Sequence, residues 1–141
     1  MCVHVDYHKA AYEDVLSKYM SLVNSVIEEG FLPIVAGHSL GGYWALNVAQ
    51  KANATCVLIN PQLFPDNEDI RDLHLYATEI VKDNPKYMYL ERGDEVVDVN
   101  NLIEFTKDAV YALVVNGGHH RVEHLHNINN IIEIAIKSEL K

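Results

Sequence analysis

Ser39 stands in the pentapeptide Gly37-His38-Ser39-Leu40-Gly41, between an apolar run ending at Ala36 and a helix-like stretch after Gly41. A serine hydroxyl is a weak nucleophile until a neighbouring base takes its proton and an acid orients that base. A sharp strand-to-helix turn provides the exposure: it strains the serine backbone and lifts the hydroxyl clear of the sheet. On that geometry Gly37 and Gly41, two before and two after the serine, must be small because larger side chains would collide. Gly42, Ala45 and Ala49 extend the small face. The helix N-terminus aims its dipole and free N–H groups at the serine, and the Leu40 N–H is the expected first oxyanion donor. A Gly-rich turn that binds a phosphate would also fit the pentapeptide alone. Its place between strand and helix, with an acid and a base downstream, favours the nucleophile.

Asp94 follows Leu90-Glu91-Arg92-Gly93, just past a strand-like segment. A carboxylate there can accept a hydrogen bond from a histidine on the neighbouring loop and fix its tautomer. Glu95 and Asp98 compete for the role. The base is expected after the next apolar run, where Asn116-Gly117-Gly118-His119-His120-Arg121 presents either His119 or His120 on a tight turn. His120 and His124 lie four apart, as metal ligands on a helix face do, and His126 is close by. No Glu or Cys completes a ligand set, so neither a metal nor any other cofactor is expected. His4, His8 and His74 read as surface or packing groups, although His8 falls on a loop of the site's end.

These residues need a scaffold, and the hydropathy pattern describes one. Cys2 to Val5 is a short β-branched run. Residues 10–29 space Tyr12, Leu16, Tyr19, Val23, Val26 and Ile27 as an amphipathic helix that Gly30 stops. Phe31 to Ala36 reads as a strand with Pro33 near its start. Residues 40–52 read as a helix, Thr55 to Ile59 as a strand broken by Asn60-Pro61, and 67–83 as a weakly patterned helix. Tyr87 to Glu91 and Ala109 to Val115 are two further strands around a helix at 98–107. A terminal helix aligns Val122, Leu125, Ile128, Ile132, Ala135 and Ile136. About five strands alternating with helices predict an α/β three-layer sandwich with a mainly parallel sheet. Ligands of such sheets bind outside the carboxyl ends of the strands. The loops near 6–9, 37–42, 60–66, 92–98 and 116–121 gather there.

A chain of 141 residues accommodates one domain, 1–141. Eleven basic against twenty acidic residues give a formal charge of −9, which disfavours nucleic acid and membrane surfaces as partners. Cys2 and Cys56 both sit in apolar stretches and read as buried reduced thiols of a cytoplasmic protein. The chain shows neither a signal-peptide pattern nor an apolar run of spanning length.

From about residue 31 onward the chain resembles the small YqiA-like esterases of the α/β-hydrolase superfamily. The resemblance rests on the pentapeptide with its extension Gly42-Tyr43-Trp44-Ala45, on Val57-Leu58-Ile59-Asn60-Pro61, on Gly93-Asp94-Glu95-Val96 and on Gly117-Gly118-His119-His120. It implies a truncated α/β-hydrolase fold, a triad of Ser39, Asp94 and His120, and cleavage of a small-molecule acyl ester or thioester. The opening Cys2-Val3-His4-Val5-Asp6-Tyr7-His8 resembles the family's second strand and the start of the following helix. The family's first strand and its His-Gly loop, which supplies the second oxyanion donor, have no counterpart. Three outcomes follow from that departure. Cys2 to Val5 fills the place, with Tyr7 or His8 supplying the donor; the sheet edge pairs with a second copy of the chain; or the scaffold is a non-catalytic binding or regulatory protein.

Overall fold

The computed structural model describes residues 5–71, 73 and 79–140. Apart from Val5, the expected first strand lies outside these residues, as do Cys2, His4 and His74. The elements run α1 (Tyr12–Glu28), β1 (Ile34–Ser39), α2 (Leu40–Ala52), β2 (Thr55–Pro61), β3 (Lys86–Glu91), α3 (Val99–Thr106), β4 (Tyr111–Val115) and α4 (Leu125–Glu139). The four strands form one parallel sheet in the order β1-β2-β3-β4. Among the described residues β1 is an edge strand, paired on its β2 side only. This is a truncated α/β-hydrolase fold.

The period of two along each strand sorts side chains between two faces. Cys56, Leu58, Met88 and Leu90 pack with Ala45, Leu46 and Ala49 of α2 and Leu102 of α3. Their neighbours Val57, Ile59 and Tyr89 point the other way and pack with Ile131 and Ala135 of α4. α1 lies outside α2, where Val15, Leu16 and Val23 meet Tyr43, Trp44 and Val48. β2 is buried at every position, as a central strand between two helical layers must be. Burial pushes the Cys56 thiol up to about 12, so it stays protonated and unreactive.

Several boundaries differ from the pattern reading, each for a physical reason. β1 begins at Ile34 rather than Phe31, because Pro33 has no N–H for the ladder and Phe31 and Leu32 are left exposed. β2 runs through Asn60-Pro61, which does not break it. The expected α-helix at 67–83 is absent from its described parts: 67–70 form a turn and a bend, Arg71 makes an isolated bridge with Ala11, and 79–83 are irregular. The Asp66 carboxylate there accepts the N–H groups of Glu68 and Asp69, a local alternative to helical bonds. On α4 the fully buried pair is Ile131 and Ala135, while Leu125 and Ile136 of the expected stripe are exposed. No helix among the described residues is long and apolar enough to cross a membrane.

α4 covers its face of the sheet largely through Ile131. Truncation by Ile131→Ala should therefore cost about 2–5 kcal/mol in urea unfolding. A loss below about 1 kcal/mol would mean that the helix is not seated as described.

Candidate active site

At the junction of β1 and α2, Ser39 adopts φ +56° and ψ −126°. A non-glycine residue held there costs on the order of 1–3 kcal/mol, and surrounding contacts must impose it. One is visible at once: a Cβ on Gly37 would stand 2.0 Å from the Gly41 carbonyl oxygen, so only glycine permits the chain to fold back so closely. The expectation of reciprocal crowding fails for Gly41, whose Cβ would meet nothing nearer than the Tyr7 hydroxyl at 3.7 Å. Its backbone, not a side chain, occupies the tight space. Gly42 is required in turn by the sheet, since its Cβ would lie 2.5 Å from Pro61 Cβ.

The His120 imidazole bridges the two other sequence candidates. Its Nε2 lies 2.7 Å from Ser39 Oγ and its Nδ1 2.8 Å from Asp94 Oδ2. A carboxylate can only accept, so Nδ1–H donates to Asp94 and Nε2 presents its lone pair to the serine hydroxyl. The Asp94 side chain is fully buried, and its other oxygen accepts the N–H groups of Val96 at 2.8 Å and Val97 at 2.9 Å. The carboxylate is thereby fixed independently of its bond to the imidazole.

The alternates are placed elsewhere. The His119 ring turns outward, 3.7 Å from Glu95 and 3.4 Å from Glu123. Asp98 caps α3 by accepting the Asn101 N–H at 3.0 Å. Glu95 accepts the backbone N–H of His120 at 3.0 Å, and that bond holds its carboxyl below the ordinary glutamate value. The Leu40 N–H opens α2 next to Ser39. The rings of His124 and His126 pack on one another with centroids 6.0 Å apart. Among the described residues no three His, Cys, Asp or Glu side chains converge as metal ligands.

Three residues that hold the His119–His120 loop escaped the pattern reading. The register of β1 on β2 jumps from His38–Ile59 to Ser39–Pro61, leaving Asn60 as a bulge with φ +38°. Its buried carboxamide donates to the carbonyls of His119 at 3.0 Å and His120 at 3.1 Å, and accepts the Glu91 N–H at 3.0 Å. Glu91, also fully buried, accepts the His119 N–H at 3.0 Å and the Tyr89 hydroxyl at 2.9 Å. A Cβ on Gly118, at φ +76°, would collide with the Glu91 carboxylate at 2.4 Å. His38 completes the clamp, its Nε2 donating to the His120 carbonyl at 2.8 Å. A lone Glu ending the apolar strand Tyr87 to Glu91 was the signal available in the sequence.

Two cavities adjoin these residues. One of about 150 Å³ lies between Pro61–Phe64 and Val96–Leu102 at the carboxyl ends of β2 and β3. The other, about 410 Å³, follows the edge of β1 from Val35 to His38, between Tyr19 of α1 and Val48 of α2.

The model of the uncharacterised protein family UPF0227 matches residues 2–73, which include the pentapeptide and the opening segment, in agreement with the YqiA-like resemblance. No curated protein matches the chain. Among solved structures, it is similar to an alpha-beta serine hydrolase homologue from Coxiella burnetii. The TM-score is 0.61 and the identity 17%, over 87% of this chain and 57% of that one. Est1E from Butyrivibrio proteoclasticus gives a TM-score of 0.75 at 17% identity, over 93% of this chain and 72% of that one. An α/β serine hydrolase without a lid from Xanthomonas campestris gives 0.63 at 17% identity, over 89% and 56%. At these identities the likeness is one of fold. The chain spans little more than half the length of the first and third of these structures.

Asn60→Ala leaves the His119 carbonyl and the Glu91 N–H without this partner, while the His120 carbonyl keeps His38, at about 1–3 kcal/mol for each group left unsatisfied. Urea unfolding should register a loss of at least about 2 kcal/mol, and an unchanged midpoint would contradict the clamp. For Glu95 the folded value is depressed, so its stabilising contribution is complete above the ordinary glutamate value and lost as pH falls through the depressed one. The stability gap between wild type and Glu95→Gln should accordingly narrow on acidification from neutrality. A gap independent of pH would show that the carboxylate does not hold the His120 N–H.

Proposed function

The chain belongs to the uncharacterised protein family UPF0227, and we propose that it is a serine hydrolase cleaving a carboxylic ester or thioester through an acyl-enzyme. The observation that carries this reading is the unbroken chain from Ser39 Oγ through His120 to the buried Asp94, at 2.7 and 2.8 Å. His120 Nε2 takes the hydroxyl proton as Ser39 Oγ bonds to the acyl carbon, and Asp94 stabilises the resulting imidazolium. The carbonyl oxygen becomes an oxyanion held by the Leu40 N–H at the start of α2. The imidazolium then protonates the departing alkoxide or thiolate, leaving the acyl group on Ser39. Water, deprotonated by the same nitrogen, attacks that ester; Ser39 recovers its proton and the acid is released. No cofactor takes part in these steps.

A tetrahedral oxyanion calls for a second donor, and we assign it to the Tyr7 hydroxyl. Of the two candidates near the N-terminus, Tyr7 approaches the elbow helix at Gly41, whereas His8 is exposed with its backbone N–H given to Asp6 Oδ1. A phenolic O–H serves where a loop N–H does in other sites, because only a donor aimed at the developing charge is needed.

A fluorophosphonate probe should label Ser39 and lose its target in Ser39→Ala, while His120→Ala should lower ester kcat by about 10²–10⁴-fold. Folded protein that neither labels nor turns over esters would instead support a non-catalytic binding scaffold. Tyr7→Phe should reduce kcat by about 10²–10³-fold with KM little changed. An unaltered kcat would remove Tyr7 from the oxyanion hole.

A further inference from the structure

We propose that the cavity of about 410 Å³ beside the elbow binds the substrate by a group carrying an uncharged hydrogen-bond acceptor, with the Trp44 indole N–H as its buried donor. This rests on the serine hydrolase reading and adds substrate chemistry that the reading leaves open. The cavity begins at the elbow itself. Gly37, His38 and Gly41 line it, flanking Ser39 in the chain, and the bordering His38 ring bonds the His120 carbonyl at 2.8 Å. Tyr7 lines it as well, its hydroxyl 3.7 Å from where a Cβ on Gly41 would stand. A carbonyl oxygen held between the Leu40 N–H and the Tyr7 hydroxyl therefore has this cavity beside it.

One face of α2 forms a wall of this space, where Gly41, Trp44, Ala45 and Val48 recur at three- and four-residue spacing. Trp44 is 2% exposed, and its Nε1–H is closed off from solvent without a hydrogen-bond partner among the described residues. A buried donor left in that state costs about 1–3 kcal/mol, which an acceptor bound in the cavity would recover. An indole N–H can only donate, so the matching ligand group must accept. Tyr19 lines the same space; burial, and after it the Tyr7 hydroxyl, raises its own hydroxyl above the ordinary tyrosine value. Both phenols are thus neutral groups able to donate beside the indole. Among the described residues the lining contains no Lys, Arg, Asp or Glu, so a charged ligand group would enter without a counterion. Val35, Ala36 and Val48 add apolar wall, and the whole suits a ketone, ether or amide oxygen on an apolar body. Ala36 and His38 are exposed and mark the entrance.

Two isosteric pairs test both halves of an ester: p-nitrophenyl levulinate against the valerate, and methoxyethyl acetate against butyl acetate, each compared by kcat/KM. In at least one pair the oxygen-bearing member should lead by at least about fivefold in wild type. Trp44→Phe keeps a ring but removes the N–H, and should bring that ratio close to one. The ratio is taken within one protein and is insensitive to the amount folded. Trp44 is the single tryptophan of the chain, so its emission reports binding without turnover. In Ser39→Ala protein, methyl levulinate or methoxyethyl acetate should shift that emission to the red, and Ala36→Phe, which fills the entrance, should abolish the shift. Ser39-dependent turnover with equal rates within both pairs and an unmoved Trp44 emission would overturn the acceptor assignment and leave the nucleophile standing. Turnover that survives Ser39→Ala, or its absence in folded wild type, would overturn the serine hydrolase reading and with it the claim that the bound group belongs to a substrate.

Discussion

The backbone fold-back that brings Gly37 against the Gly41 carbonyl governs the geometry of the whole site. With no room for a side chain at Gly37, β1 can turn directly into α2, and Ser39 is driven to φ +56° at the corner. That corner aims the hydroxyl outward, starts α2 with the Leu40 N–H beside it, and disturbs the register with β2. The disturbance appears as the bulge at Asn60, whose left-handed backbone turns its side chain toward the loop carrying His120. Strain in one strand and a polar side chain in the next are two consequences of the same close contact.

The imidazole is positioned by a second layer of polar groups, of which Asn60 and Glu91 are buried. Asn60, Glu91, Glu95 and His38 all bond to the backbone of His119 or His120, so the loop is held at its main chain while the His120 ring spans Ser39 and Asp94. Asn127 of α4 extends this network by donating to the Tyr89 hydroxyl, which in turn donates to Glu91. Such a network is costly if any member is left unpaired, and rigid when every member is satisfied. It links the helix on one face of the sheet to the loop carrying His120 at its end.

The alternation of apolar strands and amphipathic helices was legible, and so was the pentapeptide, because both follow from local periodicity and turn chemistry. What local pattern could not convey was tertiary. Asn60-Pro61 reads as a break in a strand, yet sheet pairing carries β2 through it. Gly41 looks as crowded as Gly37 in the motif, and only the folded chain reveals that its side-chain direction is open. The choice among Asp94, Glu95 and Asp98 depends on which of three nearby carboxylates reaches the His120 ring, a difference of side-chain direction that spacing does not encode. Glu91 is clearer in retrospect: a carboxylate ending an otherwise apolar strand has to be hydrogen-bonded where it is buried.

The central claim is that Ser39 forms a covalent acyl intermediate with His120 as its base. Rapid mixing with a p-nitrophenyl ester, followed by acid quench and peptide mass spectrometry, tests this directly. The account predicts an initial burst approaching one nitrophenolate per chain and an acyl mass increment on the peptide containing Ser39. Multiple turnover with no increment on Ser39, or an increment on another residue, would contradict it.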